Sequence, residues 1–376
     1  MSTYFHLKRA SKRFKLWTLL VGSLIVLCWV GMALAAAADG LLEVHFIDVG
    51  QGDSILVLTP DGKVMLVDAG DQRSGRVVAN YLRAQGVRQI DVLVSTHPHS
   101  DHIGGMAEVL KTFPVAQVYD SGRVHTSKTF EEYLKIIDAK NIPFALARAG
   151  DTIRLGSQVS VHVLWPDGPR TILDYGDINE SSIVLLLGYK NVAFLFTGDA
   201  GIQSEQKFLT KLPARQIQIL KVGHHGSRSS TGAELLRATR PEVAVIMCGA
   251  DNPYGHPHSQ VLERLGAAQV RILRTDLAGS IVVTSDGQSY SIGGLAPVST
   301  GGADGAAPAP IGRLININTA SAEELQSLPG IGETLARRII EYRIKVGLIT
   351  DVHELLDVNG IGPATLEKIK PLITCF

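Results

Sequence analysis

Thr96-His97-Pro98-His99-Ser100-Asp101-His102 places three imidazoles and a carboxylate within six residues, directly after the apolar run Ile90–Thr96. A turn at the end of a strand can aim alternate side chains at one point. His97 and His99 can then share one metal ion while Asp101 and His102 reach a second close by. Imidazole and carboxylate donors suit Zn²⁺ and other first-row divalent metals. A surface loop rich in histidine by chance is the plain alternative, and a buried-type strand leading straight into the cluster is hard to reconcile with it.

Around this cluster the chain alternates between two periodicities. Strand-like runs occur at Leu41–Ile47, Ser54–Thr59 and Val64–Val67, separated by Gly- and Asp-rich turns such as Pro60-Asp61-Gly62. They recur at Ser160–Leu164, Ser182–Gly188, Val192–Thr197, Gln218–Val222, Val243–Cys248 and Ser280–Thr284. Helical patterns lie between several of them, at Gly75–Gln85, Phe130–Ala139, Ile202–Lys211 and Ser259–Leu265. Such alternation predicts an α/β class with mixed sheets flanked by helices. A Pro/Ala/Gly/Ser-rich stretch, Pro297–Pro310, carries one charge, Asp304, and reads as a flexible linker. The pattern beyond it is helical.

Composition narrows the function. The 376 residues suffice for two or three domains, and the formal net charge is zero. Lys8, Arg9, Lys12, Arg13 and Lys15 precede an uncharged apolar run, Leu16–Ala38, that ends in small residues. This segment, 1–39, is expected to be a signal peptide or an N-terminal membrane anchor. Either outcome puts the body in the periplasm or outside the cell, with membrane contact through this segment only. Residues 39–376 hold 31 basic and 36 acidic residues, a net charge of −5, so nucleic-acid contact must come from local geometry rather than a global field. Only Cys248 and Cys375 remain outside the export segment, which excludes a disulfide framework, and neither sits in a C-x-x-C that would offer a thiolate zinc site.

The His97–His102 cluster resembles the signature of the metallo-β-lactamase superfamily, H-x-H-x-D-H after a strand, and the resemblance runs from about Leu42 to Ile292. It implies an αββα sandwich over 40–295 and two divalent ions, Zn²⁺ first and Mn²⁺ second. Within it, Asp68 in Leu66-Val67-Asp68-Ala69-Gly70 is similar to a buried aspartate that supports the ligands. Asp199 in Phe196-Thr197-Gly198-Asp199 is similar to the metal-bridging carboxylate. His224 and His225 match the late histidine motif, with one of the pair the expected ligand and His224 preferred. Many members carry another metal-binding histidine before the bridging aspartate. Only His125 and His162 stand there, neither in a recognisable motif. His256 is a candidate ligand or proton donor to the leaving group, and Asp101 a candidate catalytic carboxylate. Four segments, Phe46–Ser54, Asn179-Glu180-Ser181-Ser182, His224-His225-Gly226-Ser227 and Tyr254-Gly255-His256-Pro257-His258, resemble the hydrolase domain of the ComEC competence family. That resemblance implies degradation of the non-transported DNA strand during uptake. The polytopic channel segments of that family have no counterpart here, so the chain is not expected to form the channel.

After the linker (296–312), Leu328-Pro329-Gly330-Ile331-Gly332 and Val358-Asn359-Gly360-Ile361-Gly362 each precede a helical stretch, Glu333–Tyr342 and Pro363–Ile369. Glycine permits positive φ and close approach, and the N–H groups opening the next helix can hold phosphate. Proline suits the first helical turn. The pair resembles tandem helix-hairpin-helix motifs, and the stretch from Ile315 resembles a ComEA-type DNA receptor domain, which implies a small all-α domain over 313–376. Gly330, Gly332, Gly360, Gly362, Arg337 and Lys368 are the expected DNA-binding residues. Arg338, Arg343, Lys345 and Lys370 extend the same phosphate-facing patch. From Arg313 to Phe376 there are 7 Lys/Arg against 8 Asp/Glu, so the domain is not basic overall.

The expected function is therefore an exported metal-dependent phosphodiesterase or nuclease that holds DNA without reading its sequence. Hydrolysis of another ester, a lactone or a β-lactam is the alternative within enzymes. A DNA-uptake protein with an inactive metal domain is the alternative outside them.

Overall fold

The computed structural model describes residues 40–168, 176–293 and 298–299, then 315–317, 320, 322–326, 328–346, 349 and 351–374. The export segment 1–39, most of the linker and Cys375 lie outside the described residues. The chain divides into two units, Met1–Gly301 and Gly302–Phe376.

In the first unit, β-branched and aliphatic runs form short strands: β1 (Leu42–Phe46), β2 (Ile55–Leu58), β3 (Val64–Val67), β4 (Val92–Ser95), β5 (Val118–Asp120) and β6 (Phe144–Leu146). They continue as β7 (Thr152–Ile153), β8 (Ser160–Trp165), β9 (Val184–Tyr189), β10 (Val192–Phe196), β11 (Ile219–Lys221), β12 (Val243–Ile246) and β13 (Arg271–Arg274). The last are β14 (Ile281–Ser285), β15 (Ser289–Ile292) and β16 (Val298–Ser299). They build two sheets, in the order β16-β15-β14-β1-β2-β3-β4-β5-β6 and β13-β12-β11-β10-β9-β8-β7.

Alternate side chains of each strand point to opposite faces. Val44, Phe46, Ile55, Val57 and Val94 of the first sheet therefore meet Val163, Leu185, Leu187, Phe194 and Phe196 of the second in a core between the sheets. Each fully buried side chain of this size contributes roughly 1.5–3 kcal/mol. The outer face of the first sheet is covered by α1 (Gly75–Ala84), α2 (Ser100–Ile103), α3 (Met106–Thr112) and α4 (Lys128–Ala139). Val78 and Leu82 of α1 and Phe130, Tyr133 and Ile137 of α4 form one apolar stripe each. Ser127 caps α4, its side chain accepting from the Phe130 N–H at 3.2 Å. On the outer face of the second sheet lie α5 (Ile202–Phe208), α6 (Ala233–Thr239) and α7 (Ser259–Ala267), which contribute Phe208, Leu235, Leu236, Val261 and Leu265. A short α8 (Thr275–Ala278) follows β13. The result is the expected αββα sandwich.

β3, β4, β5 and β6 run parallel, as do β10, β11, β12 and β13. In open α/β sheets, ligand sites form beyond the carboxyl ends of such strands. That edge is where Asp68 follows β3, His97 follows β4, Asp199 follows β10 and His225 follows β11.

The second unit contains α9 (Ala322–Gln326), α10 (Glu333–Val346), a 3-10 stretch (Val352–Asp357) and α11 (Pro363–Ile369). Asp351 and Glu354 cap the 3-10 stretch reciprocally. The unit is not all-α as expected: β17 (Ile315–Asn316) pairs in parallel with β18 (Ile373–Thr374) and ties its two ends together. Val298 and Ser299, assigned to the linker by composition, form β16 and pair with β15. Among the described residues, no helix is long and apolar enough to cross a membrane.

Candidate metal centre

Asp199 is the hub of the site. Its Oδ2 lies 3.2 Å from His102 Nε2, 3.4 Å from His225 Nε2, 3.7 Å from His224 Nε2 and 3.9 Å from His97 Nε2. His225 Nε2 is also 3.3 Å from Asp101 Oδ2, and His97 Nε2 is 3.0 Å from His99 Nδ1. All the ligands expected from sequence are thus brought together.

The surroundings leave the inner nitrogens free. Asp68, buried with φ +57°, accepts from the Thr96 N–H at 2.9 Å and the Thr96 hydroxyl at 2.6 Å, and holds His102 Nδ1 at 2.8 Å. That partner fixes the ring so that His102 Nε2 faces Asp199. Met247, just after β12, offers its carbonyl oxygen to His225 Nδ1 at 3.0 Å, so His225 Nε2 faces Asp101 and Asp199. Ser182 Oγ lies 3.2 Å from His97 Nδ1 and accepts from the Asp199 N–H at 3.1 Å.

His102 Nε2, His225 Nε2 and Asp199 Oδ1 are buried without a hydrogen-bond partner. Such atoms are costly unless something binds them, and a nitrogen and carboxylate donor set of this kind fits divalent ions. Asp53, His102, Asp199 and His225 present ligand atoms all within 4.8 Å of one another, every one buried.

Electrostatics point the same way. Burial works against charge on Asp199, yet His102 and His225 outweigh it and hold the carboxyl well below its usual range. Against the same cost of burial, Asp199 and Asp68 hold His102 well above its usual range, and Asp199 and Asp53 do so for His225. His97 is held well below its usual value by burial and by neighbouring His102.

The preference for His224 is reversed by this geometry. His225 is 1% exposed and sits within the acidic group, whereas His224 is 26% exposed and reaches only Asp199, at 3.7 Å. Both residues have left-handed φ, 47° and 53°, a tight turn that splays the adjacent rings apart. Of the two candidates for a further histidine, His162 lies apart from the cluster and His125 stands at its edge against His99. His162 is exposed on β8 beside Thr152 Oγ1 at 3.2 Å, and the His125 ring stands 6.3 Å from that of His99. The Asn179 side chain bears on His99 instead, and its buried Oδ1 has no hydrogen-bond partner. The His256 ring packs 5.5 Å from His224 and 6.2 Å from His225. Burial and the neighbouring imidazoles push it down to about 4, so it is neutral at pH 7.

Two residues without an assigned role enter the site. Lys221, fully buried at the end of β11, pairs with Asp53, donates to the Gly198 carbonyl at 2.8 Å and lies 3.9 Å from Asp199 Oδ1. Asp53 in turn stands 3.3 Å from His225 Nδ1. A lysine inside an otherwise apolar strand was the available signal, since lysine is almost never fully buried unless paired.

In the second unit, Gly330 and Gly360 have φ of +87° and +102°, and the isoleucine after each is buried in a common core with Leu328, Ala336, Leu355 and Leu366. A Cβ added at Gly332 or Gly362 would meet nothing within 4 Å. The fold itself therefore does not demand glycine at these two places. Arg337 and Lys368 are exposed. Two other members of the predicted patch are engaged internally. Arg343 donates to the carbonyls of Ile317 and Ala320 at 2.9 Å, and Arg338 donates to Asn359 O at 2.7 Å, linking the two hairpins.

The chain belongs to the metallo-beta-lactamase superfamily, whose profile matches residues 47–250, and a helix-hairpin-helix motif profile matches residues 312–374. Among individual relatives, ComE operon protein 3 of Bacillus subtilis (strain 168) is 34% identical over 258 residues, 64% of this chain and 32% of that protein. Competence protein ComA of Neisseria gonorrhoeae is 32% identical over 236 residues, 62% of this chain and 31% of that protein. ComE operon protein 1 of Bacillus subtilis (strain 168) is 35% identical over 126 residues, 31% of this chain and 58% of that protein. The chain thus spans about a third of the length of the first two.

Proposed function

We propose that this chain is an exported metal-dependent phosphodiesterase that degrades DNA, with the hairpin unit holding the DNA without regard to sequence. The observation that carries the reading is the convergence of four histidines on Asp199 Oδ2, in a chain that also contains paired hairpins. His97 Nε2, His99 Nδ1 and Asp199 would hold one ion, and Asp101, His102 Nε2, His225 Nε2 and Asp199 a second. Two such ions, Zn²⁺ or Mn²⁺, supply a Lewis acid for the phosphoryl oxygens and a water of lowered pKa.

The chain's own groups do the rest. Asp68 and the Met247 carbonyl fix the His102 and His225 rings. Asp101, 28% exposed where Asp199 is 2% exposed, is the carboxylate placed to accept a proton from the attacking water and pass it to solvent. The turns at Gly332 and Gly362 and the exposed cations of Arg337 and Lys368 would hold phosphates, which position a duplex without reading it. Covalent linkage of the two units raises the local concentration of DNA at the metal site. Export rests on the basic and apolar pattern of residues 1–39. A role in competence rests on the relatives named above.

Purified protein, stripped with chelator and resupplied with Zn²⁺ or Mn²⁺, should degrade linear and plasmid DNA only when metal is restored. Hydrolysis of lactone or β-lactam substrates without DNA degradation would replace this reading with the other metallo-hydrolase one.

A further inference from the structure

Tyr254 is 61% exposed, the most exposed large apolar side chain among the described residues, and it is not left loose. One face of its ring stacks on His256, with centroids 5.6 Å apart and planes 23° apart. His256 in turn packs against His224 and His225, so the tyrosine stands two rings away from the metal centre.

The loop that carries it is tied down. The Asn252 amide donates to the carbonyls of Gly249 and His256 at 2.8 and 2.6 Å, and its Oδ1 accepts from the His256 N–H at 2.9 Å. The loop also sits directly on the histidine turn. A Cβ at Gly226 would come within 2.6 Å of Pro257, and the His258 N–H donates to the Gly226 carbonyl at 3.0 Å. The N–H of Arg228, an exposed residue, donates to His258 Nδ1 at 3.1 Å on the same rim. Ordering an aromatic ring in advance removes most of the entropy cost of stacking a ligand on its open face.

We infer that the open face of Tyr254 is a stacking subsite for an unpaired nucleobase next to the phosphate being cut, so the metal centre takes single-stranded or frayed DNA in preference to intact duplex. The subsite rests on the proposed phosphodiesterase reading, because the ring has a nucleobase to meet only if DNA enters the centre. Stacking of this kind is tolerant of sequence, as every base has a π face.

The test is a double-mutant cycle on the full chain, with Tyr254→Ala on one axis and a labelled tetranucleotide against its abasic counterpart on the other. Four nucleotides keep the contribution of the hairpin unit small. Both KM for cleavage and the equilibrium dissociation constant are read. Removing the ring or removing the bases should each weaken binding by about tenfold, the size of one lost base–aromatic stack, and removing both should cost little more than either alone. Tyr254→Phe should behave as wild type, because the ring and not the hydroxyl stacks.

If Tyr254→Ala still discriminates between normal and abasic DNA as wild type does, or if the two losses simply add, the subsite is refuted. If the cycle shows coupling in binding while no oligonucleotide is cut, the subsite stands and the phosphodiesterase reading falls.

Discussion

Lys221 and Asp53 form an ion pair beside the candidate metal centre, with both side chains almost wholly out of solvent. Lys221 occupies Oδ2 of the Asp53 carboxylate, while Oδ1 faces His225 Nδ1 at 3.3 Å, on the side of that ring away from Asp101.

Removing one member of a buried pair leaves an uncompensated charge and costs about 3–5 kcal/mol. Lys221→Met should therefore lower the unfolding free energy by about 3 kcal/mol or more in urea titrations. The double variant Lys221→Met with Asp53→Asn should recover part of that loss. A single variant as stable as wild type would show that the pair carries no such weight.

The two adjacent histidines should separate cleanly. His225→Ala should lose both bound metal and hydrolysis, as should His97→Ala and Asp101→Ala, while circular dichroism stays native because these ligands lie beyond the strand ends. His224→Ala should retain most of its metal, measured by elemental analysis of the dialysed protein. The opposite ranking of His224 and His225 would return the preference to His224.

Asp120, paired with Ser95 across β4 and β5, predicts a pH dependence of stability. Burial pushes its carboxyl up to about 6, against hydrogen bonds from the Gly122 N–H at 2.7 Å and the Tyr133 hydroxyl at 3.2 Å. A folded pKa above the unfolded one means the folded state favours the protonated form. The stabilisation is complete below the unfolded value near 3.8 and is lost as pH rises through about 6, a change of about 3 kcal/mol for the two-unit shift. Asp120→Asn, which mimics the protonated form, should flatten the fall in stability between pH 4 and 7. An unchanged slope would remove Asp120 as its source.

The two units should divide the work. A chain ending at Gly301 keeps β16 paired with β15 and should turn over a small phosphodiester at nearly the full rate. On long DNA it should lose efficiency through KM, since uniform binding appears there rather than in kcat. Bulky residues at Gly332 and Gly362 have room within the fold, so they should weaken DNA binding without unfolding the unit. DNA affinity of the full chain should fall steeply with salt. If the shortened chain bound long DNA as well as the whole, the hairpins would be better read as a protein-docking surface.

The αββα sandwich was legible because its long central strands, such as Val192–Phe196, are apolar runs bounded by turn residues. Edge strands were not. Arg271–Arg274 reads as polar surface because it closes one sheet as a half-buried edge, and β5 and β6 are three residues each, too short for a period to register. The gathering of His97, His99, Asp101 and His102 on the first loop was suggested by their spacing. The choice between His224 and His225 was not, because adjacent residues separate only when the backbone turn is known, here two successive left-handed conformations. Lys221 and Asp53 lie far apart in sequence, on β11 of one sheet and just before β2 of the other, and only the packing of the two sheets brings them together. Arg343 counts as a surface cation in sequence, yet its guanidinium is used up by two carbonyls.

The central claim is that a two-ion centre built on Asp199 hydrolyses DNA. Its most direct test titrates Mn²⁺ or Zn²⁺ into chelator-stripped protein while bound metal and the rate of single-stranded DNA cleavage are followed together. The account predicts that activity rises with occupancy and saturates at two ions per chain, and that Asp199→Asn binds metal weakly and cuts no DNA. Full cleavage by stripped protein, or by Asp199→Asn, would contradict it.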